Sequence, residues 1–283
     1  MTAPTLPAPS GTRPRRPAPA ARPGRHVLTD TSAMIGRSLR LVRREPDELL
    51  LALVLPVMLM VLFVYVFGGA MSVGTDYLTY ATPGIVLLCA GYGASNTAIA
   101  VEQDMSGGIM DRFRSMPIAS ATVLVGHVVA SVVKNLVTTA VVLGVAHVLG
   151  FRSDATALEW LAAVGVIVAY IVAVTCVATF LGVLVRSPAA AGGFGFFMLF
   201  LPYVSSAFVP PGTMPAWLRG FAEHQPVTPV IETIRGLLVG LGSDAQPVAD
   251  LGPTAALALA WCAGLVVVFL VGAAWVFSRR RRQ

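Results

Sequence analysis

Residues 157–185, ALEWLAAVGVIVAYIVAVTCVATFLGVLV, carry one charged side chain, Glu159, in an otherwise apolar run. A helix needs about 20 mostly apolar residues to cross bilayer hydrocarbon, so this stretch reads as a membrane span. Five more segments read the same way, at about 49–70, 78–101, 121–149, 189–209 and 252–277. The 283-residue chain is 56% hydrophobic and 12% charged, against about 25% charged in an ordinary soluble domain. The expected fold class is all-α, a polytopic membrane protein with six transmembrane helices.

Charge orients the spans. With the N-terminus inside, sixteen basic residues lie on the cytoplasmic side and only Arg152, Arg219 and Arg235 lie outside. Cytoplasmic loops carry the excess of Lys and Arg, so both termini are expected in the cytoplasm of a multi-pass plasma-membrane protein. The net charge of +6 gathers at the ends of apolar runs, without the interleaved aromatic residues of a base-stacking surface, so it does not point to nucleic acid. Cys89, Cys176 and Cys262 all fall within spans and give neither a disulfide framework nor a metal site.

Outward from the spans, residues 1–29 are rich in Pro, Ala and Arg and read as a disordered cytoplasmic tail. Residues 31–45 are amphipathic: Met34, Ile35, Leu39, Leu41 and Val42 share one arc, and Arg37, Arg40, Arg43 and Arg44 the other. Such a helix lies in the membrane interface, against lipid. Residues 279–283 form a basic cytoplasmic C-terminus. Between the second and third spans comes EQDMSGGIMDRFRSMPI, residues 102–118, which hydrocarbon would not accept. Within it, 109–116 predict a two-turn helix with Ile109, Met110, Phe113 and Met116 on one face and Asp111, Arg112, Arg114 and Ser115 on the other. Pro117 ends it. The connection 210–247 is long and semi-apolar, with Val230, Ile231, Ile234, Leu237 and Leu238 at helical spacing. About fifteen residues reach only about 22 Å, short of a crossing, so a re-entrant or interfacial hairpin is expected, with Glu232 and Arg235 paired on its polar side.

Four stretches together resemble the ABC-2 export permeases, in particular the daunorubicin-resistance-type branch that exports drugs and lipids. They are VRREPD at 42–47 leading into LPV at 55–57 and VYVFGG at 64–69; YLTYATPGI at 77–85; GIMDRFRSMPI at 108–118; and FVPPGTMPAWLRGF at 208–221 with QPVTP at 225–229. The likeness covers about residues 30–278 as a single transmembrane domain. It implies a two-subunit pore, expected as a homodimer with a second permease subunit, driven by two copies of a cytoplasmic ABC ATPase. ATP and magnesium would sit on that partner, with no cofactor or metal bound by this chain. It also implies an ATPase-coupling helix, matched by 109–116, the interfacial N-terminal helix, matched by 31–45, and an external re-entrant element, matched by about 214–240. Phe208, Pro210, Pro211, Met214, Pro215, Trp217, Gln225 and Pro226 would then form an external gate or plug. Gln225 stands where the family often has Asn.

The sequence contains no nucleotide motor of its own. A P-loop needs a lysine on the terminal phosphates, and the only lysine is Lys134, between Val133 and Asn135. Lys134 falls in the middle of the third span, where a cation is costly unless it faces the bundle interior or a wet conduit. His127 lies seven residues earlier on nearly the same face. Lys134, His127 and Asn135 are therefore the candidate conduit, and the alternative reading pairs Lys134 structurally. Gly91, Ser95, Gly192, Gly193 and Gly195 are small residues suited to close helix packing. The expected activity is export of a hydrophobic or amphipathic molecule, an antibiotic, drug or lipid. A polysaccharide or lipid-linked glycan permease and an ion-coupled secondary transporter are the other readings.

Overall fold

A computed structural model of the chain describes residues 46–71, 73–107, 120–242, 244–248 and 250–280. The tail 1–29, the interfacial element 31–45 and the two-turn helix 109–116 lie outside the described residues. Among those described, every regular element is helical, beside one isolated antiparallel bridge between Leu241 and Pro247.

Local chemistry sets the helix ends. Helix α1, Pro46–Val61, runs on into a π-helical turn, Leu62–Phe67. The next helix, α2, Tyr77–Ser106, starts where the Asp76 carboxylate accepts from the Thr79 amide at 3.0 Å, and it closes where Gly107 N–H donates to Gln103. Helix α3 is Ser120–Leu149, and Gly150 behind it has φ +116°, open to glycine at no steric cost. A capping box of Thr156 and Glu159 opens α4, Ala157–Leu184. Ser187 caps α5, Pro188–Phe200, with Pro188 at its first position. A short 3-10 turn, Leu201–Val204, follows. Helices α6, Ala216–His224, and α7, Val227–Val239, make a tight pair, and α8 is Gly252–Arg280.

Four of these helices are long and apolar enough to cross a membrane: Tyr77–Ser106, Val128–Leu149, Ala157–Leu184 and Gly252–Val276. Leu53–Phe67 and Pro188–Val204 are shorter apolar helices. Helix α2 is the centre of the bundle, packed against α1, α3, α4, α5 and α7. Small residues permit this. A Cβ on Gly195 of α5 would overlap the Ser95 side chain of α2, and one on Gly182 of α4 would sit 2.6 Å from the Ala98 carbonyl. Helix α8 packs on α4 and α7 and turns Val267, Val268, Val271 and Trp275 outward, the surface that hydrocarbon accepts.

Two sequence expectations change, and the α7 segment gains detail. The fifth segment, 189–209, is α-helical only to Phe200, because its apolar run continues past the helix into the 3-10 turn and an irregular strap at 205–210. Helix α7, within the segment read as a re-entrant or interfacial hairpin, is inserted among α2, α4 and α8 with Val227, Val230, Ile231, Ile234 and Leu238 all buried. Glu102, read as the start of a solvated loop, lies inside α2 and is 1% exposed.

Candidate functional site

The densest polar chemistry lies at the N-terminal end of α2, where the chain leaves regular helix between α5 and α6. A strap without a helical ladder must find other donors for its carbonyls, because an unpaired backbone group buried from water costs about a hydrogen bond. Side chains supply them. Gln225 Nε2 donates to the Leu201 carbonyl at 3.3 Å and to the Val204 carbonyl. Ser205 Oγ donates to Pro202 at 2.6 Å, and the Tyr77 hydroxyl donates to Phe208 at 3.2 Å. Thr228 Oγ1 donates to the Ala222 carbonyl and accepts from the Ser206 amide at 3.4 Å. Phe208 stacks on Phe63 of the π-helical turn with centroids 4.2 Å apart, and Tyr203 stacks on Phe208 at 5.3 Å. Beneath the strap, Gly84 brings α2 so close that a Cβ there would lie 2.5 Å from the Ala207 Cβ and 2.7 Å from its Cα.

Arg235 fastens this end. It extends from α7 with 0% exposure. Its Nη2 donates to the Ser206 carbonyl at 2.6 Å and to the Tyr80 carbonyl at 3.2 Å, and its Nε reaches Tyr80 at 3.3 Å. The guanidinium also sits 3.9 Å from the centroid of the Tyr80 ring, a cation–π contact strengthened by the burial of Arg235. One cation thus joins α7, α2 and the strap through main-chain oxygens. Nη1 of Arg235, Oγ of Ser206 and Oε1 of Gln225 are buried without a hydrogen bond.

A second polar region runs between α2 and α3. The Cys89 thiol lies against Thr138 and Thr139, Gly93 makes room for the Asn135 amide, and the Thr97 and Ser131 hydroxyls bond each other. Asn135 is 1% exposed, and its Nδ2 has no hydrogen-bond partner.

The structure assembles some sequence candidates and separates others. Phe208, Pro211 and Gln225 are buried in the strap cluster. Pro210 and Met214 are half-buried around the 3-10 turn Pro211–Thr213, while Pro215 opens α6 and Pro226 opens α7. Trp217 is 79% exposed and forms no part of the buried cluster. Of the conduit candidates, Asn135 lies in the α2–α3 seam and Lys134 at its half-buried edge; the His127 side chain lies outside what is described. The coupling residues Ile109, Asp111, Arg112, Phe113, Arg114 and Met116, and the interfacial Arg37, Arg40, Arg43 and Arg44, are outside the described residues.

Arg235 is buried and bound to carbonyls where a polar surface was expected, with the Glu232 carboxylate still acting on its charge. Tyr77, Tyr80, Ser206, Thr228 and Arg235 were not read as site residues. One signal existed for Arg235: it lies four residues after Ile231 and beside Ile234, on the apolar stripe of its helix.

Against known proteins, residues 29–239 match the model of the ABC-2 type transporter family. The chain is 28% identical over 251 residues to a daunorubicin resistance ABC transporter permease protein of Streptomyces coeruleorubidus, covering 88% of this chain and 86% of that one. It is 30% identical over 269 residues to a probable doxorubicin resistance ABC transporter permease protein of Mycobacterium tuberculosis, covering 93% and 95%. A doxorubicin resistance ABC transporter permease protein of the same organism is 26% identical over 226 residues, covering 76% and 74%.

Proposed function

The chain belongs to the ABC-2 type transporter family, and on that premise we propose that it is the membrane-spanning subunit of an ATP-driven exporter of a hydrophobic or amphipathic molecule. The observation that carries this reading is near full-length similarity to drug-resistance permeases in a chain that has no P-loop. Hydrolysis then belongs to a separate cytoplasmic ABC ATPase, present in two copies with ATP and magnesium, and two permease subunits enclose the path.

The proposed topology has six spans: α1 with its π-helical turn, α2, α3, α4, α5 with its 3-10 extension, and α8. The 13 and 4 residues of α5 and its extension rise about 28 Å, close to the roughly 30 Å of hydrocarbon. The 13 residues of α7 rise only about 20 Å and make a re-entrant element. Both termini and 102–118 are cytoplasmic by the distribution of arginine, which sets the strap and α7 at the external end of the bundle in the plasma membrane.

The test is to purify the chain with and without an ABC ATPase and measure ATP hydrolysis as amphipathic drug is added. Drug-stimulated hydrolysis by the complex alone is expected. Transport that follows a proton gradient without any ATPase would overturn the reading. In the same complex, Phe113→Ala should leave assembly and hydrolysis while export falls, because a buried aromatic anchor dominates a docking surface; unchanged export would remove 109–116 as the coupling element.

A further inference from the structure

We propose that Arg235 is the latch of the external gate: it holds α7, the strap and the first turn of α2 together as one closed unit, and releasing it is the event that opens the strap to water. The proposal rests on the topology given above, which makes this end external.

Three features of the cluster support a latch over a permanent brace. First, Arg235 is the only described side chain that hydrogen-bonds both α2 and the strap, through the Tyr80 and Ser206 carbonyls. Tyr77 of α2 also ties the strap at the Phe208 carbonyl, and Thr228 of α7 ties it at the Ser206 amide, but each of these bonds joins two elements where Arg235 joins three. Second, its hydrogen bonds run to neutral carbonyls and its guanidinium lies on an aromatic face, while the Glu232 carboxylate acts on it as an electrostatic attraction. Water can replace such partners, whereas a bidentate carboxylate offers a stronger and geometrically fixed grip.

Third, the closed arrangement leaves Arg235 Nη1, Ser206 Oγ and Gln225 Oε1 buried and unsatisfied within this one cluster. Each is a buried polar group without a protein partner, a costly position that exposure at an opened strap would relieve. Opening therefore exchanges three main-chain hydrogen bonds of Arg235 for hydration of both the guanidinium and the orphaned groups. The two states are brought close in free energy, and that balance lets a modest push from a distant motor shift the population. Packing tells the same story. Gly84 and Ala207 are in backbone contact, so the strap cannot flex locally past α2 and must lift as a body once the latch is undone.

Ser206 provides the probe, since its side chain is 0% exposed and makes no hydrogen bond and a thiol is nearly isosteric with it. Ser206→Cys is introduced into the intact exporter in right-side-out and inside-out vesicles, and labelling by a membrane-impermeant maleimide is timed with and without ATP. The parent chain, with Cys89, Cys176 and Cys262 buried, sets the background. At rest Ser206→Cys should label slowly, and turnover should speed it about tenfold or more, as a shifted two-state population requires. Adding Arg235→Met should give the fast rate at rest, from the external side, with its ATP dependence gone.

Arg235→Lys retains charge and part of the bonding, so its resting rate should fall between the two. Unchanged slow labelling of the Arg235→Met complex, still assembled with its ATPase, overturns the latch. Fast labelling that appears only where assembly is lost, in Lys and Met variants alike, reduces Arg235 to a brace and overturns it as well. Labelling confined to the cytoplasmic side overturns the topology beneath the proposal, a failure the vesicle orientation makes separable.

Discussion

The strap cluster and the α2–α3 seam are both buried and polar, yet they are built on different bonds. In the seam both partners are regular helices whose backbone groups are already paired internally, so side chains turn to one another or to their own preceding turn. Thr97 bonds Ser131 and also donates to the Gly93 carbonyl at 3.0 Å, and Thr138 donates to the Asn135 carbonyl at 3.0 Å. In the 3-10 turn and the strap the backbone has no α-helical ladder, so beside the local Ser205 bond its carbonyls attract donors from 21 to 131 residues away in sequence. Broken helix thus recruits long side chains such as Arg and Gln, and intact helix is content with small hydroxyls. A bond to backbone also constrains more, because a main-chain oxygen cannot rotate out of the way.

Substitutions should therefore separate the two regions by size of effect. The largest loss is expected from Arg235→Met, about 3 kcal/mol of unfolding free energy in a detergent–SDS titration, since it strips donors from buried carbonyls and cancels a cation–π contact. Next comes Gly84→Ala, at about 2 kcal/mol, because the new methyl meets the Cα and Cβ of Ala207, which have nowhere to go. Its counterpart Gly93→Ala meets only the terminal amide of Asn135, which can swing away, so its cost should stay below about 1 kcal/mol. Equal costs for the two glycine variants would erase the contrast. Thr97→Val removes a single interhelical hydroxyl bond and should cost about 0.6 kcal/mol in the same titration. Trp217→Ala lies outside both regions and should change stability by less than about 0.5 kcal/mol.

The long helices were legible in the sequence because hydropathy over a span averages many residues, and no single neighbour decides it. The end of α5 was not. Leu201, Pro202, Tyr203 and Val204 continue the apolar run of 189–200, and donors from Gln225 and Ser205 there, and from Arg235 and Tyr77 just beyond, make an irregular backbone tolerable. The burial of Arg235 was hidden for a related reason. On a helical wheel an arginine beside Glu232 looks like half of a solvated pair, and its acceptor on Tyr80 lies 155 residues earlier. Glu102 was misplaced because charge suggested loop, while the cap at Gly107 carries the helix on to Ser106. In the motif at 208–226, Phe208 and Gln225 stand out by type and position, and both fall in the cluster. Trp217 stands out by type as well, but it is exposed and lies outside the cluster.

The grip of Arg235 on the strap has a consequence for how this end of the protein tolerates change. What it holds at position 206 is the peptide carbonyl, which all twenty residues possess, so a library randomised at that site should retain the fastening wherever the new side chain fits the space. The vulnerable inheritance lies elsewhere, in the single codon for Arg235 and in the glycine at 84. Position 206 is thus freer to drift than Arg235, Gly84, or the side chains of Tyr77, Gln225 and Thr228 that hold the same strap.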